Sequence, residues 1–140
     1  PQFEEKIWNL QRHARRLLRD QAILNDLAPL FDSALKNRSI TAWIGANDFC
    51  SLLALGYLEQ HGVRIPDDIS LIGFDDTYES LEKQLTTYSF NIYSLVHAML
   101  GAVCNPPETA TRGTVKETVI EGMIVERATV KEISQTAPGL

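Results

Sequence analysis

A pair of short apolar segments, separated by an apolar helical pattern, most constrains the fold of this chain. The segments span residues 40–45 and 69–74, and their β-branched and aromatic residues are typical of strands that are covered on both faces. Residues 49–59 between them are apolar nearly all round the helix, Gly62 suits the position after a helix, and Pro66 prevents its continuation. The pattern predicts a βαβ unit, and therefore a parallel sheet.

Polar residues follow each predicted strand directly. Asn47 and Asp48 come after the first segment, and Asp75 and Asp76 come after the second. In open α/β sheets, the carboxyl ends of parallel strands are where small ligands bind. The same side chains can instead cap the helix or turn that follows, and this is the more natural role for Asp48 and Asp76. The pattern alone leaves both roles open for Asn47 and Asp75.

Composition limits the possible classes of function. The chain has 140 residues, enough for one domain, and no apolar run reaches the ~20 residues that a membrane helix needs. Its net charge of −5 argues against this segment binding nucleic acid. With no signal-peptide pattern at the amino terminus, we expect a cytoplasmic protein that does not contact the membrane. Cys50 and Cys104 match no zinc or redox spacing, and we expect two buried thiols.

The first part of the chain is predicted to be helical. Apolar residues recur at helical spacing across residues 2–37, in two sets separated at Arg19 and Asp20, which predicts two amphipathic helices. Pro29 falls within the second set and predicts a bend.

Three further segments follow the βαβ unit. Residues 85–90 are strand-like, after a polar connection. Asn91 is placed to cap a helix that reaches Cys104 and carries a wide apolar face. Residues 115–127 predict one long strand or two short strands interrupted at Gly122, and we expect residues 134–140 to be disordered.

The titratable residues form no recognisable catalytic pattern. His13, His61 and His97 are scattered, and no serine lies in a nucleophile-elbow context. Phosphate-binding glycine motifs are missing from the sequence as well. Asp75 and Asp76 lack a third ligand at a supporting spacing for a metal. We therefore predict a protein that is not an enzyme and that has no cofactor and no metal site.

Five short motifs, in order along the chain, resemble landmarks of the LacI/GalR-type transcription regulators. They are Ala-Asn-Asp at residues 46–48, Ile-Pro-Asp-Asp-Ile-Ser at 65–70, Gly-Phe-Asp-Asp at 73–76, Leu-Thr-Thr at 85–87 and Ile-Val-Glu-Arg-Ala-Thr at 124–129. The resemblance implies the α/β class and a parallel-sheet, Rossmann-like lobe of a periplasmic-binding-protein-like (type I) fold. Residues 1–140 would be a single module resembling the C-terminal lobe, in which residues 1–38 match nothing in the family.

This resemblance implies a sensor of small molecules. Asn47 and Asp75 would hold a small polar effector, a sugar or sugar derivative, and DNA would be contacted only through a segment absent from this chain. Phe90 stands where family members commonly place a polar residue that contacts the effector, and it becomes a possible ligand-lining residue. An alternative with the same fold is a solute receptor of a transport system.

Two helices are candidates for contacts between chains. The helix at 49–59 is more apolar than one sheet can cover, and the resemblance implies a homodimer through this region, unless residues 1–37 bury the same surface. Its candidate interface residues are Phe49, Leu52, Leu53 and Tyr57. In the family, the helix matching residues 91–104 packs on the first lobe. We predict that it repacks, swaps between chains or is buried against a neighbour here.

Overall fold

The computed structural model describes residues 2–105 and 117–132. Within them, four helices and four strands alternate in an α/β arrangement. The helices are α1 (Gln2–Lys36), α2 (Asp48–Gln60), α3 (Tyr78–Glu82) and α4 (Ile92–Cys104). The strands are β1 (Ala42–Ile44), β2 (Ser70–Phe74), β3 (Thr86–Ser89) and β4 (Met123–Val125). The predicted βαβ unit is confirmed as β1, α2 and β2.

The strands form one sheet in the order β1-β2-β3-β4. The pairs β1/β2 and β2/β3 are parallel, so the α/β fold class is confirmed. In contrast, β4 pairs antiparallel with β3, with Tyr88 opposite Ile124, and the sheet is therefore mixed rather than wholly parallel.

Strand β1 is covered on one face only. Trp43 packs against the core, whereas Ile44 on the opposite face is 71% exposed. The expectation that this strand is buried on both faces is therefore wrong. Phe31 of α1 packs on Trp43, whereas the opposite face of β1 is left open at Ile44.

One continuous helix, α1, replaces the two predicted helices. Pro29 lies inside it, and Arg19 and Asp20 mark no break. A proline in a helix interior costs about 3 kcal/mol because it removes a hydrogen bond and crowds the preceding turn. Apolar contacts on both sides of Pro29 offset this cost: Leu27 is half-buried, and the Phe31 ring lies 5.3 Å from the Trp43 ring.

The core lies between α2 and the sheet. Leu58, Leu71 and Leu85 are at most 1% exposed, and burying each contributes roughly 1.5–3 kcal/mol. Partly buried side chains from α1, β1, α2 and the loop before β2 close its margin: Phe31, Trp43, Leu52 and Ile65. The core therefore supports β1 and β2 from one side.

The segment after β2 contains a helix that the sequence pattern did not predict. Helix α3 begins after Thr77, whose side chain accepts a hydrogen bond from Ser80 N. By contrast, α4 has its predicted bounds, and Asn91 caps it by accepting a hydrogen bond from Ser94 N at 3.3 Å. The strand prediction for 115–127 is confirmed only at β4, with residues 115 and 116 and the tail 134–140 outside the described residues.

Helix α4 has no buried residue. Its exposed apolar side chains are Ile92, Leu95, Val96, Met99, Leu100 and Val103. Cys104 at its end is exposed, which corrects the expectation of two buried thiols, while Cys50 is half-buried. The expectation that α4 repacks, swaps between chains or is buried against a neighbour stays a prediction.

Candidate functional site

Three predicted ligand residues follow strands whose carboxyl ends share one edge of the sheet. Because β1, β2 and β3 run parallel, Asn47, Asp75 and Phe90 all follow strand ends at that edge. A hydrogen bond of 3.0 Å from Asp75 N to the Tyr88 carbonyl oxygen joins the ends of β2 and β3. The structure therefore brings these residues to the same side of the fold, as the sequence predicted.

Asn47 acts as the N-cap of α2. Its Oδ1 accepts a hydrogen bond from Cys50 N at 2.9 Å, which satisfies one of the free N–H groups of the first turn. An amide also carries two N–H donors, so capping through the oxygen leaves chemistry for a ligand. The ligand role of Asn47 stays a prediction.

Asp75 and Asp76 have an unusual backbone conformation. Their φ angles are 106° and 53°, in the left-handed region that L-residues adopt at a cost. Such strain persists where the surroundings hold it, and it is often found at ligand sites. The Asp75 side chain is exposed, and no described residue donates a hydrogen bond to its carboxylate.

Asp76 is held by an ion pair. Arg127 Nη2 lies 2.5 Å from Asp76 Oδ1, and Nη1 of the same guanidinium donates to the Leu85 carbonyl at 2.8 Å and to Ser80 Oγ at 3.2 Å. The side chain of Arg127 is only 10% exposed. Asp76 thus has a structural role through this ion pair, whereas the cap of the following helix is Thr77.

Asp48 is a fully buried carboxylate that joins three parts of the site. Its Oδ2 accepts hydrogen bonds from Thr77 N at 2.8 Å and Thr77 Oγ1 at 3.1 Å, and its Oδ1 accepts from Thr87 Oγ1 at 2.5 Å. A Cβ atom on Gly73 would lie 2.2 Å from Asp48 Oδ1, so only glycine leaves room for this carboxylate. Asp48 therefore ties the start of α2 to the loop after β2 and to β3. This role is structural, but it differs from the predicted helix cap, because Asn47 caps α2.

An aromatic cluster, Phe74, Tyr88 and Phe90, lies beside Asp75. The ring of Phe90 is 5.2 Å from Tyr88 in an edge-on arrangement and 6.1 Å from Phe74 in a stacked one. Phe74 and Tyr88 also pack on each other at 5.8 Å. Phe90 is 46% exposed, so the cluster presents an aromatic surface at this edge.

Sequence reasoning missed Arg127, Phe74 and Tyr88 as parts of this site. Phe74 and Tyr88 are paired across β2 and β3, and this register becomes visible only in the folded sheet. One signal in the sequence could have found Arg127. It is a cation inside the family-like motif at residues 124–129, and the sequence offers two carboxylates, at Asp75 and Asp76, that a cation could pair with.

Tyr57, a candidate for the dimer interface, is buried within this chain. It is 6% exposed, its ring lies 5.1 Å from Phe31 of α1, and its hydroxyl donates to Asp32. The hydrogen bond to Asp32 raises the pKa of Tyr57. Burial under residues 1–37 therefore describes Tyr57 within one chain, and its part in a dimer interface stays a prediction.

The other three candidates on α2 are half-buried. The Arg19 guanidinium covers the Phe49 ring at 5.1 Å, and Leu52 packs against the core. Leu53 is also half-buried. Part of the apolar surface of α2 is thus explained by α1, and part of it still faces outward.

The described ranges contain no group of three or more His, Cys, Asp or Glu side chains that could hold a metal ion. The helices in these ranges also include none that combines the length and apolar character needed to cross a bilayer.

Residues 5–130 match the family model described as a periplasmic binding protein-like domain. The probable opine utilization operon repressor of Rhizobium rhizogenes is 31% identical over 97 residues, which cover 68% of this chain and 49% of that protein. The arabinose metabolism transcriptional repressor of Geobacillus stearothermophilus is 43% identical over 54 residues, covering 37% and 15%. This chain thus spans at most about half the length of these two relatives.

A solved LacI-family transcriptional regulatory protein from Corynebacterium glutamicum has a similar fold. It superposes with a TM-score of 0.56 and 26% identity, covering 71% of this chain and 39% of the other. The structural likeness therefore extends beyond the βαβ unit to most of the described residues.

Proposed function

Because this chain belongs to the periplasmic-binding-protein-like domain family of the LacI/GalR-type transcription regulators, we propose that it senses a small effector for such a regulator. The relatives from Rhizobium rhizogenes and Geobacillus stearothermophilus are named as repressors, which supports regulation rather than catalysis. DNA would be contacted by a segment outside this chain, since the chain carries a net charge of −5.

The proposed ligand is a small polar molecule, a sugar or sugar derivative, held at the carboxyl edge of the sheet by Asn47 and Asp75. The observation that carries this proposal is the exposed Asp75 carboxylate on a left-handed backbone, directly after a buried parallel strand. A carboxylate can accept hydrogen bonds from two neighbouring hydroxyl groups. The relative from Geobacillus stearothermophilus is named for arabinose metabolism, which supports a sugar.

Regulation would follow from a difference in ligand affinity between two conformations. A ligand shifts an equilibrium only when it binds one state more tightly than the other. In this proposal the ligand bridges this lobe and a facing lobe, and the closed state changes the affinity for DNA.

Calorimetric titration of the chain with a panel of neutral monosaccharides tests the site. We expect at least one sugar to bind and Asp75→Ala to weaken it by about tenfold or more, because a lost charged hydrogen bond is worth about 1.5–3 kcal/mol. Asp67→Ala is the matched control, since Asp67 is an exposed carboxylate that pairs with Lys131 elsewhere. Equal loss in both variants, or no loss in Asp75→Ala, removes Asp75 from the site.

We also propose that the chain forms a homodimer through the outward side of α2, centred on Leu53 and bordered by the half-buried side chains of Phe49 and Leu52. Symmetric twofold dimers are the commonest oligomers, and this side stays apolar after α1 has packed. Sedimentation velocity should show a dimer that Leu53→Arg converts to a monomer. Leu30→Arg is the control, because Leu30 is 65% exposed on α1.

A wild-type monomer would contradict this proposal. If the apolar face of α4 is also exposed to water in that monomer, the prediction that α4 is covered is wrong as well.

A further inference from the structure

We propose that the carboxyl edge of the sheet selects a positively charged organic ligand, such as an amino sugar or another amine with an apolar face. The ammonium group would lie against Asp75, and the apolar face would pack on the aromatic cluster. This inference rests on the proposed ligand site and narrows its chemical class.

The aromatic cluster is preorganised to receive a cation. Phe90 is held edge-on by Tyr88 and stacked on Phe74, so its exposed ring surface is supported from two sides. The negative face of an aromatic ring attracts a cation, and the attraction is stronger where water is excluded. Phe90 offers no hydrogen bond, so it contributes nothing to holding a hydroxyl group.

Asp75 adds a carboxylate to this aromatic surface. The hydrogen bond from Asp75 N to the Tyr88 carbonyl fixes its backbone beside the cluster. In the part of the chain that the structure describes, the ion pairs include Arg127 with Asp76 but none to Asp75. A protonated amine, which carries hydrogen-bond donors and a positive charge, complements this acceptor-only group.

The neighbouring groups also disfavour an anion. Helix N-termini attract anions through their free N–H groups, but here the first turns of α2 and α4 are capped by Asn47 and Asn91. The buried Asp48 receives its hydrogen bonds from the neutral groups of Thr77 and Thr87. The local charge balance at this edge is therefore negative.

Two matched pairs of probes isolate the effect of charge. Choline and 3,3-dimethylbutan-1-ol have nearly the same shape but differ in charge, and D-glucosamine and D-glucose differ by one amine. In calorimetric or NMR titrations of the chain, we expect the cation of each pair to bind at least about tenfold more tightly than its neutral partner.

Variants assign the preference to its residues. Asp75→Asn keeps the side-chain shape and should remove most of the preference for the charged probes, while Phe90→Leu should weaken choline more than the neutral alcohol. Asp67→Asn, which neutralises a distant exposed carboxylate, should leave the ratio unchanged. Urea unfolding of each variant shows whether the fold is retained.

Equal binding within each pair would overturn the inference, as would a failure of both charged probes to bind. A neutral sugar that binds and is weakened by Asp75→Ala would then leave the proposed sensing site standing. If cations bind but Asp75→Asn has no effect, the assignment to this edge is wrong.

Discussion

Replacement of the buried Asp48 gives the sharpest test of how this site is held together. Its carboxylate accepts three hydrogen bonds with no solvent exposure, from the backbone N–H and hydroxyl of Thr77 and the hydroxyl of Thr87. In Asp48→Ala these donors lose their acceptor in a buried space. The Thr77 N–H cannot turn toward another partner, although the hydroxyls can rotate.

The two variants at this position should differ strongly. A buried donor left unsatisfied costs about 1–3 kcal/mol, so Asp48→Ala should destabilise the chain by about 3–5 kcal/mol. Asp48→Asn can keep its oxygen toward Thr77 and donate its amide to Thr87 Oγ1. The contacts survive in neutral form, and the expected cost is about 1 kcal/mol.

Urea unfolding followed by far-UV circular dichroism measures both costs. The reasoning is refuted if Asp48→Ala unfolds at the wild-type urea concentration, or if Asp48→Asn is as unstable as Asp48→Ala. A midpoint for Asp48→Asn between the other two supports the hydrogen-bond account. Thr87→Val, which removes one of the three donors and keeps the shape, should fall between wild type and Asp48→Ala.

Three other changes test separate parts of the fold. Gly122→Ala should lower the free energy of unfolding in urea by about 1–3 kcal/mol, because the added Cβ would lie 2.4 Å from a backbone oxygen of β3. Gly56→Ala is the control: open space surrounds Gly56, so this change should be neutral or stabilising by about 0.5–1 kcal/mol. Arg64, in the loop before β2, donates hydrogen bonds from its guanidinium to Asp68 and lowers the pKa of that carboxyl from 3.8 to about 2. The stabilisation from this ion pair is therefore present above pH 3.8 and is lost as pH falls toward 2, and Asp68→Asn should flatten this part of the stability profile. A thiol reagent should label the exposed Cys104 faster than the half-buried Cys50, so Cys104→Ser should remove the fast phase of labelling. A fast phase that remains in this variant would contradict the prediction and would show that Cys50 is the more reactive thiol.

The βαβ unit could be predicted because local signals agree there. The apolar runs, the Asn47 cap and Gly62 each favour the same element bounds, and Asn91 marks the start of α4 in the same way. In a parallel sheet the carboxyl ends of neighbouring strands lie at the same edge, so the shared location of Asn47 and Asp75 could also be predicted.

Features that depend on distant contacts could not be predicted. Arg19 and Asp20 were expected to separate two helices, but α1 is continuous, and packing of Phe31 on Trp43 and Tyr57 supports its second half. An apolar run does not say which faces of the sheet are covered, so Ile44 was expected to be buried. The aromatic cluster depends on the register of β2 and β3, which pairs Phe74 with Tyr88.

The left-handed backbone at Asp75 and Asp76 has a consequence for protein engineering. Glycine has no Cβ atom and adopts a positive φ without the steric cost, roughly 1–2 kcal/mol, that L-residues such as Asp75 incur. A screen for thermostability would therefore tend to select glycine at position 75, with a gain in melting temperature. Glycine at position 75 also lacks the carboxylate that we propose contacts the ligand, so a stability screen for this fold needs a binding readout beside it.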